Sequence, residues 1–337
     1  VKTSLKDIAD SLKLSKTTIS WVLSGMGDEK GISKKTQERV LKYARDLNYE
    51  PNLLARGLNT GVSGTIGLIL PSISDSFYSR VAREVESASE KNGYSMMIGS
   101  SHSEVEKEDR MIRLFKGKQV DGIILAPTKI SKKETERLIE EGFPFVLFDR
   151  YFHDLDTNYV IIDNEESSYK LVSHLLHKGF RKIAIITTNP HLRTLNMRRE
   201  GYARAMMESG VQVDFNLYGE VAYVNYEKNL FKVLDQIFEN VPDVDGFFFT
   251  THILALEAFN YFFERGIDIN NGKYGLACIH GVPSFKVLAP KMNIAWMPIE
   301  EIGKNTVRML VNAINAKMSK KKIATEGLVL SCELSLQ

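Results

Sequence analysis

The sequence predicts a small all-α head followed by a two-lobed α/β body with parallel sheets. Three observations carry this. Apolar residues within positions 1–50 recur at helical spacing in three short segments. From Gly64 onward, strand-like apolar runs alternate with helical stretches, as parallel sheets flanked by helices require. The chain has 337 residues, more than one core usually holds, and 43% hydrophobic content is ample for several.

In the head, Ser4 and Asp7 stand at cap spacing before the stripe Leu5, Ile8, Ala9 and Leu12. After the turn Lys13-Leu14, Ser15 can cap a second helix with Ile19, Val22 and Leu23 inward. At about 100° per residue, Lys16, Thr17 and Ser20 share its opposite face, with Trp21 at the margin. Ser33 starts a third helix whose inward positions are Val40, Ala44 and Leu47, and Asn48 is a plausible stop. Two short helices joined by a tight turn and braced by a third form a helix-turn-helix. Such a unit lays its second helix in a DNA major groove. The pattern by itself also fits a plain three-helix bundle.

Charge points the same way. Residues 1–60 hold eleven Lys/Arg against seven Asp/Glu, whereas the remainder holds 33 against 35. A positive head suits a phosphate backbone, although a solvated helical surface would look alike. No apolar run reaches the ~18–20 residues of a membrane span, and the N-terminus is polar rather than signal-like. Cys278 and Cys332 are the only cysteines, which implies neither a disulfide framework nor a four-cysteine zinc site and fits a reducing cytoplasm.

In the body, strands are expected at Thr65–Leu70, Tyr94–Ile98, Gly122–Ala126, Phe145–Phe148, Lys182–Thr187, Gly246–Thr250 and Leu276–Ile279. Helices are expected at Tyr78–Lys91, Ser167–Lys178, Arg198–Ser209 and His252–Arg265, and Gly327–Leu334 reads as a further strand. The domain plan is then a head at 1–50, a hinge at 51–61 and a body at 62–337. Within the body, lobe 1 comprises 62–163 plus 293–322, and lobe 2 comprises 164–292 plus 323–337. No G-x-G-x-x-G, Walker A loop, G-x-S-x-G elbow or H-E-x-x-H appears, so neither an enzyme nor a bound cofactor is expected. His174 and His177 share a helix face but have no further obvious metal ligands.

The chain resembles the lactose-repressor (LacI/GalR) family of transcription regulators over essentially its whole length. The likeness runs through Leu5-Lys6-Asp7-Ile8-Ala9, Ser15 to Leu23, Ser33 to Val40, Leu47 to Asn52 and Leu54-Ala55-Arg56. It implies a periplasmic-binding-protein-like body with an effector in the inter-lobe cleft, and a homodimer on a pseudo-palindromic operator in double-stranded DNA. Ser4, Leu5, Ser15, Lys16, Thr17, Ser20 and Trp21 would meet DNA from the head. Pro51–Thr60 would form a hinge helix, with Asn52, Ala55 and Leu58 at the minor groove and Leu58 wedged into a base step. A segment this short is not reliably helical alone, so its ordering can be coupled to DNA binding.

Departures from the family pattern are informative. Lys13 replaces the usual turn glycine, and Trp21 replaces an arginine that commonly reads guanine. Indole has one N–H and cannot make that bidentate contact, so a different operator base is expected there, unless Trp21 packs between helices. For the effector, the resemblance implies Phe77, Tyr78, Arg150, Arg198, Thr251, His252 and His280. Thr251-His252 and His280 stand where the family usually has Asn-Asp and Asp. Losing carboxylates at two places directs the expectation toward an anionic effector, a sugar acid or phosphorylated sugar, ahead of a neutral saccharide. The expected whole is a cytoplasmic, homodimeric, effector-controlled repressor that is not an enzyme and does not use a membrane. A small-molecule-binding protein without a DNA role is the alternative.

Overall fold

The computed structural model describes residues 4–47, 49, 62–128, 132–188, 192–222 and 226–337. The chain divides into two compact units, Val1–Ser63 and Gly64–Gln337.

The first unit contains α1 (Leu5–Leu12), α2 (Lys16–Leu23) and α3 (Lys34–Asp46). Each begins with a serine that satisfies a first-turn N–H. Asp7 N donates to Ser4 Oγ while Ser4 N donates to Asp7 Oδ2, a full capping box. Thr18 N donates to Ser15 Oγ at 3.0 Å, and Thr36 N to Ser33 Oγ at 3.3 Å. Ile8, Ala9, Ile19, Val22, Val40 and Ala44 form the buried core, with Leu5, Leu12 and Leu23 partly buried around it. Leu47, expected inward, is instead 38% exposed, because α3 ends before it.

Lys13 closes α1 in the left-handed region, at φ 50° and ψ 44°. A side chain there costs on the order of 1 kcal/mol that glycine avoids. Lys13→Gly is therefore expected to stabilise the head by about 1 kcal/mol, read as a higher head transition in calorimetry of the full chain. An unmoved or lowered transition would show that this backbone is unstrained by the lysine.

The second unit contains two six-stranded sheets. Lobe 1 supplies β1 (Thr65–Leu70), β2 (Ser95–Ser100), β3 (Gly122–Leu125), β4 (Phe145–Phe148) and β5 (Tyr159–Ile162), with α4 (Ser76–Lys91), α5 (Val105–Gly117) and α6 (Lys133–Glu140). Lobe 2 supplies α7 (Asn164–His177), β6 (Ile183–Thr188), α8 (Arg193–Glu208), β7 (Tyr218–Val221), α9 (Tyr226–Asn240), β8 (Gly246–Phe249), α10 (His252–Glu264), β9 (Gly275–Ile279), α11 (Phe285–Leu288) and β10 (Asn293–Trp296). The chain closes with α12 (Ile299–Met318), β11 (Gly327–Leu330) and β12 (Glu333–Ser335).

The first sheet runs β11-β5-β4-β3-β1-β2, all parallel, and the second runs β12-β10-β9-β8-β6-β7, parallel except for β12. Sheets covered on both faces need continuous apolar strands, and Phe247, Phe248 and Phe249 are all fully buried.

Two segments depart from the lobe assignment read from sequence. Asn293–Trp296, placed there in lobe 1, pairs with β9 in the second sheet, and the chain crosses only afterwards, before α12. Gly327–Leu330, placed in lobe 2, pairs with β5 in the first sheet. The expected single strand Gly327–Leu334 is thus two strands split between the sheets. A four-residue apolar strand carries no mark of which sheet it enters. The crossings are tied together at Asp163, whose Oδ1 accepts from Ser167 Oγ at 2.6 Å and from Cys332 N at 3.1 Å.

Candidate functional site

In the head, the exposed face of α2 carries Lys16, Thr17 and Ser20, with Ser4 and Ser15 also exposed and Leu5 half-buried. Trp21 is half-buried at the margin, and the Lys30 ammonium lies 5.6 Å from its ring centroid. Trp21 is therefore neither fully buried nor free in solvent, and it stands at the edge of the polar face of α2. Asn52, Ala55 and Leu58 lie outside the described residues.

In the body, a cavity of about 90 Å³ opens between the lobes. It sits at the carboxyl ends of β1, β4, β6, β8, β9 and β10, where an open parallel sheet presents its loops to a ligand. All seven residues expected at the effector line it: Phe77, Tyr78, Arg150, Arg198, Thr251, His252 and His280. Phe77, one residue ahead of the helix expected at Tyr78–Lys91, and Tyr78 both lie in the first turn of α4, because Asp75 caps that helix by accepting from Phe77 N at 2.7 Å.

Each lobe holds a polar anchor. In lobe 1, Tyr78 donates its hydroxyl to Asp149 Oδ2 at 2.7 Å, and Arg150 Nε lies 3.5 Å from the same oxygen. In lobe 2, Arg198 is 5% exposed and sits on α8. Its Nε donates to Asn164 Oδ1 at 2.7 Å and its Nη1 to the Thr250 carbonyl at 2.6 Å. Both acceptors are neutral, and burial holds this guanidinium below the usual arginine range, opposed by Asp149.

The lobes also meet directly. His252 Nε2 lies 3.5 Å from Asp75 Oδ1 and 3.4 Å from Ser76 Oγ. Burial alone would raise the Asp75 carboxyl, but hydrogen bonding and charge from His252, with the α4 backbone N–H groups, hold it below the ordinary range. Phe77 packs edge-on against the His280 ring at 5.2 Å, and the His252 and His280 rings are 5.0 Å apart. His280 follows β9 with φ 64°, and Asp149 follows β4 with φ 61°, both left-handed. Such backbones persist where the surroundings over-determine them, and here they aim two side chains into one cavity. His280 is 2% exposed, and neither ring nitrogen makes a hydrogen bond within the described residues. Burial first, then His252 and Arg80, push its pKa down to about 3.

Sequence reasoning missed Asp75 as a cavity residue. Its one signal was the cap position in Ser74-Asp75-Ser76 ahead of the helix. The contact to His252, 177 positions later, left no trace in spacing.

A family model for "Periplasmic binding proteins and sugar binding domain of LacI family" matches residues 63–326, and one for "Bacterial regulatory proteins, lacI family" matches residues 4–52. The chain belongs to the LacI family. It is a DNA-binding transcription regulator of that family. It is 30% identical to the ribose operon repressor of Halalkalibacterium halodurans, covering 94% of this chain and 91% of that protein. In fold, the lac repressor dimer bound to operator and the anti-inducer ONPF aligns with a TM-score of 0.83 at 18% identity, covering 99% of this chain and 98% of that one. The regulator CelR in complex with cellobiose aligns with a TM-score of 0.73 at 21% identity over 99% of both chains. No helix among the described residues is long and apolar enough to cross a membrane.

Proposed function

We propose that this LacI-family regulator is a cytoplasmic homodimeric repressor whose operator affinity is set by a small saccharide-type effector held between the lobes. The carrying observation is the cavity itself: Asp75 and Phe77 of lobe 1 stand against His252 and His280 of lobe 2. A ligand seated among them changes how the lobes close, and lobe closure resets the spacing of paired hinges. The names of a ribose operon repressor and of a cellobiose complex among similar proteins favour the saccharide class. The cleft acts here as a binding site rather than a catalytic one.

A homodimer is favoured by large apolar side chains left in water on one face of lobe 2. Phe263 is 88% exposed on α10 and Val287 82% on α11, two helices already joined by the Phe259–Phe285 ring contact at 5.4 Å. Two-fold symmetry then matches a pseudo-palindromic operator read by Lys16, Thr17, Ser20 and Trp21.

A gel shift on DNA upstream of the gene and its neighbours tests the reading, with and without candidate saccharides. Expected are specific retardation, a response to at least one small molecule, and strong loss of retardation in Leu58→Ala with dimerisation intact. Retardation that no saccharide alters would overturn effector control, and no specific retardation with or without saccharide would leave a small-molecule role apart from DNA. Unchanged affinity in Leu58→Ala would remove the minor-groove wedge.

A further inference from the structure

We propose that the effector is a monosaccharide-sized hydroxylated anion, its carboxylate or phosphate seated between Arg198 and the N-terminus of α10 and a hydroxyl placed on His280. The inference rests on the cleft being the effector site.

Three independent observations converge on that seat. The first turn of the 13-residue helix α10 lines the cavity, and Thr251 at its N-cap makes no capping hydrogen bond with its side chain. Helix N-termini carry partial positive charge and unsatisfied N–H groups, which an anion satisfies. Arg198 stands at the same place, since its Nη1 already holds the carbonyl of Thr250, the residue before that cap. Its two hydrogen bonds go to neutral oxygens, and no carboxylate lies within ion-pair distance among the described residues. A buried guanidinium so placed gains most from a negative partner. Finally, His280 is buried in the same cavity with both nitrogens unpartnered.

The other charges of the cavity are already matched within the protein. Asp75 is held by His252 and by Phe77 N, and Asp149 by Tyr78 and Arg150. His252, expected from sequence to touch the anion, is turned to Asp75 instead. That leaves Arg198, which feels Asp149 only at a distance, as the cavity's buried cation with no direct ion pair among the described residues. His280 plays a different part. A neutral imidazole offers one donor and one acceptor, which matches a hydroxyl rather than a second negative oxygen. The ligand therefore carries both groups. Size is compatible with that class: about 90 Å³ is several times what one water needs.

Calorimetric titration of the full chain tests this with hexonates, hexuronates and pentonates, their neutral parent sugars, and the corresponding sugar monophosphates. At least one acid or phosphate should bind tenfold or more tightly than its neutral parent, and the carboxylate and phosphate arms tell the two sources apart. Thr251→Asp caps α10 and places a carboxylate in the seat, so it should melt no lower than the parent protein yet lose tenfold or more in affinity for the acid. Arg198→Met, where it folds, should erase the preference for acid over neutral sugar. Preferential binding of a neutral sugar, failure of every acid and phosphate to bind, or full acid affinity in a folded Thr251→Asp each overturns the proposal. Operator retardation is followed in parallel. A neutral sugar that releases DNA ends the anionic class and leaves the effector reading standing, whereas an acid that binds without altering retardation does the reverse.

Discussion

Gly201→Ala is expected to destabilise the body by about 3 kcal/mol, the upper range for forcing atoms into a packed core. Gly201 lies on α8, where it faces α7 with no room for a side chain. A Cβ there would stand 2.1 Å from the Glu165 carbonyl oxygen, 2.8 Å from Ser168 Cβ and 2.9 Å from Tyr169 N. Two of those three atoms are backbone, so no rotamer change relieves the clash and the helices must separate. The same interface holds Arg204 against Glu165 and Glu166 and over the Tyr169 ring at 4.0 Å. It also fixes the hydrogen bond from Arg198 on α8 to Asn164 on α7. Effector affinity should therefore fall together with stability, since Arg198 moves with its helix. Gly117→Ala serves as the control. Its Cβ meets nothing within 4 Å, so the same change should be near neutral or slightly stabilising. Urea unfolding of both variants checks the contrast. Equal midpoints would show that the α7–α8 contact is looser than its geometry implies.

The head was legible because each helix declares itself locally. A capping serine precedes each one, and the apolar stripes recur at the helical period, as Ile8 with Ala9, Ile19 with Val22, and Val40 with Ala44. In the body, strands such as Thr65–Leu70 and Phe145–Phe148 stood out as unbroken apolar runs. What sequence concealed were relations between distant segments. Asn293–Trp296 and Gly327–Leu330 look alike as sequence, yet one enters each sheet, because membership is decided by partners far along the chain. Helix α8 begins at Arg193, five residues before its sequence-based start, since Thr194 and Leu195 face the cavity and fall outside the core-facing stripe. Resemblance led to Arg198, Thr251, His252 and His280 as a set. It did not distinguish their tasks, which depend on Asp75 reaching His252 across the cleft while leaving His280 unpartnered.

Two buried groups should give the body an unusually level stability across mildly acidic pH, and single variants should tilt it in opposite directions. His280 has a folded pKa near 3, set by burial and by His252, Arg80 and Arg198 against Asp75. Its unfolded value is about 6.5. The unfolded chain therefore takes up a proton that the folded one refuses, and stability falls as pH drops from about 6.5 toward 3. Glu108 on α5 behaves oppositely. It is 2% exposed, accepts from Thr128 N at 2.6 Å, and is raised to about 7, chiefly by burial and against the pull of Thr128 and Arg150, with Asp109 adding to the rise. Here the folded state keeps a proton that the unfolded one releases, so stability rises as pH drops from about 7 to the ordinary glutamate value near 4.5. Between about pH 6.5 and 4.5 the two slopes oppose each other at roughly 1.4 kcal/mol per unit apiece. Glu108→Gln keeps the acceptor for Thr128 and removes the stabilising slope, so this variant should lose about 2–3 kcal/mol relative to the parent on going from pH 6.5 to 4.5. His280→Asn, whose side chain tolerates the left-handed backbone, should gain by a similar amount over the same interval. Urea midpoints of the body transition at half-unit steps from pH 4.5 to 8 decide the matter. Three parallel curves would mean that neither group is perturbed as its burial requires. A tilt in only one variant would assign the whole effect to that residue.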